Sequence, residues 1–67
     1  MTPTRFKAAL TAAGLSQARL ARLIKVNKDT PTNYASGRHE IPGAVAIVVE
    51  LLAIGKVTIE ELEALSL

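Results

Sequence analysis

The 67-residue sequence predicts an all-α fold, a compact five-helix domain, on three observations. Apolar residues recur at three- and four-residue spacing in successive short stretches, which marks helices with one buried face. Cap-forming residues precede those stretches at Thr2, Ser16 and Thr58. Glycines follow them at Gly14, Gly37 and Gly55, where a helix stops.

The first helix is expected over Pro3 to Ala13. Thr2 is placed to cap it, Pro3 suits the first helical position, and Met1 and Phe6 have the spacing of a hydrophobic staple. Phe6, Ala9, Leu10 and Ala13 then share one face, while Arg5 and Lys7 point to solvent or toward a phosphate. The second helix begins after Ser16, with Leu20, Leu23 and Ile24 as its apolar stripe and Ala21 small enough for a neighbour to come close. The glutamate of a full capping box is missing, since Arg19 holds that position. Lys25-Val26-Asn27 breaks the pattern, with Val26 expected to plug the turn.

A third helix is expected over about Lys28 to Ser36, with Tyr34 and Ala35 inward and Lys28, Asp29, Thr32 and Asn33 outward. Pro31 leaves its start open: either Asn27 caps it and the first turn is loosened, or Thr30 caps it and the helix is very short. A fourth helix runs from Pro42 or Gly43 to Ile54. Between Ala44 and Ile54 only Glu50 is polar, so this helix calls for burial on every side, one face against the first three helices and another against a partner. The fifth, Ile59 to about Leu65, follows the complete capping box Thr58-Ile59-Glu60-Glu61.

A chain this short buries only about 60% of the surface its unfolded form exposes. With no cysteine to cross-link it, stability must come from apolar packing, shared with a second copy of the chain. The second copy is expected to dock through residues 43–67, on Val48, Leu51, Leu52, Ile59, Leu62 and Leu65.

Charge is uneven. Residues 1–39 carry seven Lys and Arg against Asp29 alone, whereas residues 40–67 carry Lys56 against five glutamates. The basic half suits phosphate and the acidic half does not. The single histidine, His39, sits beside Glu40 in a connecting loop, which is no general-base arrangement, and metal ligands are scarce. No enzyme activity, cofactor or metal is expected. Residues 1–14 lack the apolar core of a signal peptide, and Ala44–Ile54 falls short of the ~20 residues needed to span a bilayer. A cytoplasmic protein without membrane contact is expected.

Ser16-Gln17-x-x-Leu20-Ala21-x-x-Ile24-x-Val26, followed by Tyr34-x-x-Gly37-Arg38-x-x-Ile41-Pro42, resembles the helix-turn-helix of the phage Cro and repressor family of transcriptional regulators. The resemblance covers about Phe6 to Leu52. It implies a domain of five or so helices that binds double-stranded operator DNA as a two-fold homodimer. Ser16 and Gln17 would contact a backbone phosphate at the start of the second helix. Lys28, Thr32 and Asn33 would face the major groove, with Asn33 suited to bidentate adenine recognition and Lys28 to guanine or phosphate. Arg38 would clamp a phosphate and set register. The chain departs from the family at Lys25, where glycine is common, and at Pro31, where valine or isoleucine is usual. Tyr34 takes the family's inward aromatic position, Asp29 is expected to cap or meet a lysine, and His39 to be solvated.

The leading functional expectation is a dimeric transcriptional regulator, a repressor reading a palindromic operator. The second is a protein-binding antitoxin or antiactivator on the same scaffold, motivated by Pro31 and Asp29.

Overall fold

Hydroxyl caps fix where three of the helices begin. In the computed structural model, which describes residues 1–65, Thr2 Oγ1 accepts from the Arg5 amide at 3.1 Å and opens α1 (Pro3–Ala13). Ser16 Oγ accepts from the Arg19 amide at 3.1 Å and opens α2 (Gln17–Ile24). Ahead of α5 (Ile59–Leu65), the Glu61 amide donates to Thr58 Oγ1 at 3.1 Å and the Thr58 amide donates to Glu61 Oε1 at 2.9 Å. Each cap satisfies amides the helix itself leaves unpaired, a contribution of about 1 kcal/mol. The other two helices, α3 (Thr30–Ser36) and α4 (Gly43–Ala53), begin without a side-chain cap. The described residues are all-α, as expected, with five helices and no strand.

Four helix ends use one device. After α1 the Leu15 amide returns to the Leu10 carbonyl at 3.0 Å and the Gly14 amide to Thr11 at 3.1 Å. The same pattern closes α3, from Arg38 to Asn33 at 3.0 Å, and α4, from Lys56 to Leu51 at 3.0 Å. It requires a left-handed residue, which glycine supplies in those three places. After α2 that residue is Lys25, at φ 59° and ψ 48°, and the Val26 amide meets the Ala21 carbonyl at 3.0 Å. A residue with a Cβ pays roughly 1–2 kcal/mol for this conformation. Val26, expected to plug the turn, is exposed instead: its backbone closes the turn and its side chain does not.

The start of α3 follows neither alternative drawn from the sequence. Asn27 Oδ1 accepts from the Asp29 amide at 2.9 Å and the Asn27 carbonyl from the Thr30 amide at 3.0 Å, so residues 27–30 form a turn of their own. Asp29 then occupies the cap position without a side-chain bond, and Pro31 is the second helical residue. Its missing amide costs nothing there, because first-turn amides have no partner within the helix. The Pro31 ring is fully buried, three residues before Tyr34 on the same inward face.

The core gathers Phe6, Ala9 and Leu10 from α1, Leu15, Leu20 and Leu23 around α2, Tyr34, and Val49 and Leu52 from α4. Phe6 and Tyr34 meet edge to face, with centroids 5.8 Å apart and planes at 84°, which locks α1 to α3. α4 packs mainly on α1. The radius of gyration, 10.8 Å, equals the about 11 Å expected of a compact chain of this length.

The residues expected to hold a second copy do not share one surface. Leu52 is a correction: it lies buried in the protomer's own core, on the face α4 turns to α1, and with 6% of its surface exposed it has little to offer a second copy. Val48, Leu62 and Leu65 line a groove with Leu23 and Ile24, Ile59 lines a cleft with Ala12 and Ala13, and Leu51 belongs to the opposite, outer stripe of α4. No helix among the described residues is long and apolar enough to cross a membrane.

Candidate nucleic-acid interface

Two short helices and the turns after them carry the polar side chains singled out in the sequence. Ser16 spends its hydroxyl on the Arg19 amide, so it caps α2 and holds Gln17 in the first helical position. Thr32 Oγ1 donates to Gln17 Oε1 at 3.0 Å, joining the start of α2 to α3 across fifteen residues of sequence. That contact uses the acceptor end of the Gln17 carboxamide and leaves its two N–H donors for an outside acceptor.

Asn33 follows Thr32 and is half-buried. Its backbone carbonyl accepts from the Arg38 amide at 3.0 Å, the His39 amide at 3.3 Å and the Ser36 hydroxyl at 3.1 Å. The loop bearing Arg38 is thereby fastened to the residue expected to read a base. Gly37 makes the reversal possible with φ +79°, and a Cβ there would stand 3.4 Å from Pro3 Cγ. Gln17, Thr32, Asn33 and Arg38 are thus connected in one run. Lys28 is placed differently from expectation: it precedes α3, exposed in the turn, rather than standing on the helix. Asp29 is exposed, and its carboxylate neither caps α3 nor forms an ion pair with a lysine. His39 is an exposed loop residue.

Two of the cations in the basic half are paired at the surface with carboxylates of the acidic half. Arg5 makes a bidentate pair with Glu50, with Nε donating to Oε2 at 2.9 Å and Nη2 donating to Oε1. Arg5 faces solvent, as expected, and at that surface its guanidinium is engaged by Glu50. Arg19 donates to both carboxylate oxygens of Glu63 at 3.0 Å, tying α2 to α5. These hydrogen bonds hold the Glu50 and Glu63 carboxyls below the ordinary range and push the two guanidinium pKa values up. Of the other five cations in the basic half, Arg22 on α2 adds to the positive field at Glu63, and Lys7, Lys25, Lys28 and Arg38 take part in no ion pair among the described residues, so that charge lies on α1, at the α2–α3 turn and after α3.

Sequence reasoning missed the Gln17–Thr32 bond, which joins residues it had assigned separate roles. It also missed the inward turn of Pro31, although Pro31, Tyr34 and Ala35 have the spacing of one helix face. Nothing in local sequence could have paired Arg19 with Glu63. No family model, curated protein or solved structure matches this chain, so its reading rests on the geometry of this site.

Proposed function

We propose that this chain is a sequence-specific DNA-binding transcriptional regulator, with α2 and α3 serving as a helix-turn-helix similar to that of the phage Cro and repressor family. In this reading α3 enters the major groove, Asn33 and Lys28 read base edges, and Gln17 and Arg38 grip phosphates on either side. The observation that carries it is the connected run Gln17–Thr32–Asn33–Arg38, in which one side chain offers only donors and another is a cation. Phosphate is an acceptor and an anion, so it matches both. The burial of Pro31 supports the reading, because the ring that made α3 look unsuited to a groove is packed in the core.

Thr32 keeps a smaller role than the base contact expected of it: its hydroxyl proton goes to Gln17, which makes it an orienting residue. The regulator works as a symmetric pair, since an all-helical unit of this size reads too few base pairs alone, and two copies reach major grooves ~34 Å apart. Repression at a palindromic site in a cytoplasmic setting is the corresponding biological role. Selection of bound duplexes from a random pool tests the reading. An enriched inverted repeat supports it, and a pool that stays random at low salt sinks it. Recovery of one stoichiometric protein partner in place of DNA would favour the antitoxin or antiactivator alternative.

A further inference from the structure

We propose that α5 is an autoinhibitory guard: its acidic face holds Arg19 and Arg22 of α2 and withholds those two cations from phosphate polyanions. The inference goes beyond the reading of α3 and does not depend on it.

Spacing and charge point to the guard. Arg19 and Arg22 stand three apart on one face of α2, and Glu60 and Glu63 stand three apart on one face of α5. Arg19 is the link, with Nε and Nη2 each donating to one oxygen of Glu63 at 3.0 Å. Arg22 adds to the positive field at Glu63 and Glu60 to the negative field at Arg19, so two cations oppose two anions across the contact of α2 with α5. The row as a whole carries no net charge.

The contact also occupies the part of Arg19 that a phosphate would need. A guanidinium offers the same two parallel N–H donors to a carboxylate and to a phosphate, so the Glu63 carboxylate stands where a pair of phosphate oxygens would stand. Gln17, two residues earlier, turns instead to Thr32 of α3. α2 therefore shows one side to α3 and another to α5, and the guard leaves the Gln17 carboxamide outside its reach.

α5 is seated so that it can yield. None of its residues is buried, Ile59 and Leu62 are half-buried against the core, and a groove of 230 Å³ lined by Leu62 and Leu65 with Leu23, Ile24 and Val48 stays unfilled. Elements with so few buried contacts open locally at low cost, without global unfolding. The Arg19 and Glu63 side chains are 38% and 42% exposed, so their attraction is weak and screened by salt. A lone phosphate gains nothing by replacing the carboxylate already in place. A long polyanion holds many phosphates at high local concentration and can displace it. The uneven charge of the chain thereby acquires a role, since part of the acidic half restrains part of the basic half.

Binding of long-chain inorganic polyphosphate to the full chain tests this, because that polymer has phosphates and no base edges and so reports on the guard whether or not α3 reads DNA. One variant carries Glu60→Gln and Glu63→Gln. A fourfold variant adds Arg19→Gln and Arg22→Gln, which returns the net charge to that of the wild type. The double variant should bind at least about threefold more tightly at low salt, with a steeper fall in affinity as salt rises, because two further cations meet phosphate. The fourfold variant should match the wild type, since the arginines it lacks were withheld there. The NMR signal of the Arg19 Nε–H should move when polyphosphate is added to the double variant and stay in place in the wild type at the same subsaturating concentration. Both variants should keep the wild-type helical circular dichroism, because none of the four side chains is buried. A double variant that binds no tighter, a fourfold variant that binds more weakly than the wild type, or tighter binding with the Arg19 signal unmoved overturns the guard. The two readings fail separately: a random duplex pool that stays random beside the expected polyphosphate results rejects the DNA reading alone, and an enriched repeat beside a double variant without gain rejects the guard alone.

Discussion

The hydroxyl of Thr32 donates to the side-chain carbonyl of Gln17 at 3.0 Å, and this bond orients a carboxamide that makes no other side-chain hydrogen bond among the described residues. On the proposed reading the Gln17 NH₂ group then faces a phosphate. Thr32→Val keeps the shape and removes the proton. DNA affinity should fall about fivefold for all sequences alike, corresponding to about 1 kcal/mol for one hydrogen bond. Folding stability should change by less than about 0.5 kcal/mol, as for most surface positions. Fluorescence anisotropy on cognate and scrambled duplexes, with urea unfolding as control, checks both.

Asn33 and Arg38 should separate in kind. Asn33→Ala should cost about 1–3 kcal/mol on the preferred site and relax selection at one base pair. Arg38→Ala should weaken every sequence and make the slope of log affinity against log salt shallower by about 1. A salt series on two duplexes differing at single positions distinguishes them, and an Arg38 variant with altered base preference would contradict the assignment.

The backbone at Lys25 gives a prediction independent of function. Lys25→Gly should raise stability by about 1 kcal/mol, because the left-handed conformation at φ 59° no longer opposes a Cβ. Gly37→Ala should lower stability by about 1 kcal/mol, since the same left-handed penalty applies at φ +79° while a Cβ 3.4 Å from Pro3 Cγ stands at ordinary contact. Urea titrations of both variants report the two opposite signs.

Most of the fold was legible because its signals are local. Thr2, Ser16 and Thr58 cap where their sequences indicate, since each hydroxyl reaches an amide only three residues on. The start of α3 was not legible, because both readings of Pro31 assumed that a conventional cap had to be found. The chain instead makes a separate turn through Asn27 and lets the proline pack inward. The site was legible in composition but not in connection: Gln17 and Thr32 come together only when α2 and α3 cross. The same holds for Arg5 with Glu50 and Arg19 with Glu63, pairs separated by more than forty residues. The outward and inward faces of α4 were indistinguishable in an almost wholly apolar run, which is why Leu52 was grouped with Leu51.

Acid should loosen the domain through those pairs. Glu50 and Glu63 have depressed folded-state pKa values, held down first by their hydrogen bonds to Arg5 and Arg19. The unfolded chain binds protons more readily, so the stabilisation is complete above the unfolded carboxyl value of about 4.3 and is lost as pH falls through the lower folded values. Thermal melts between neutral pH and strong acid should show a falling midpoint below that value. The double variant Arg5→Gln, Arg19→Gln should start lower at neutral pH and fall less steeply. Both pairs are substantially exposed, so high salt should reduce the difference.

The crowded carbonyl of Asn33 bears on how such a protein could change over generations. The peptide backbone at that residue holds the Arg38 loop, so on the proposed reading the anchor on the sugar-phosphate strand does not depend on which side chain position 33 bears. Substitution at position 33 could exchange one preferred base for another while the docking pose stayed in place. A lineage could then follow a drifting operator by single codon changes, without first passing through a form that had lost its hold on DNA.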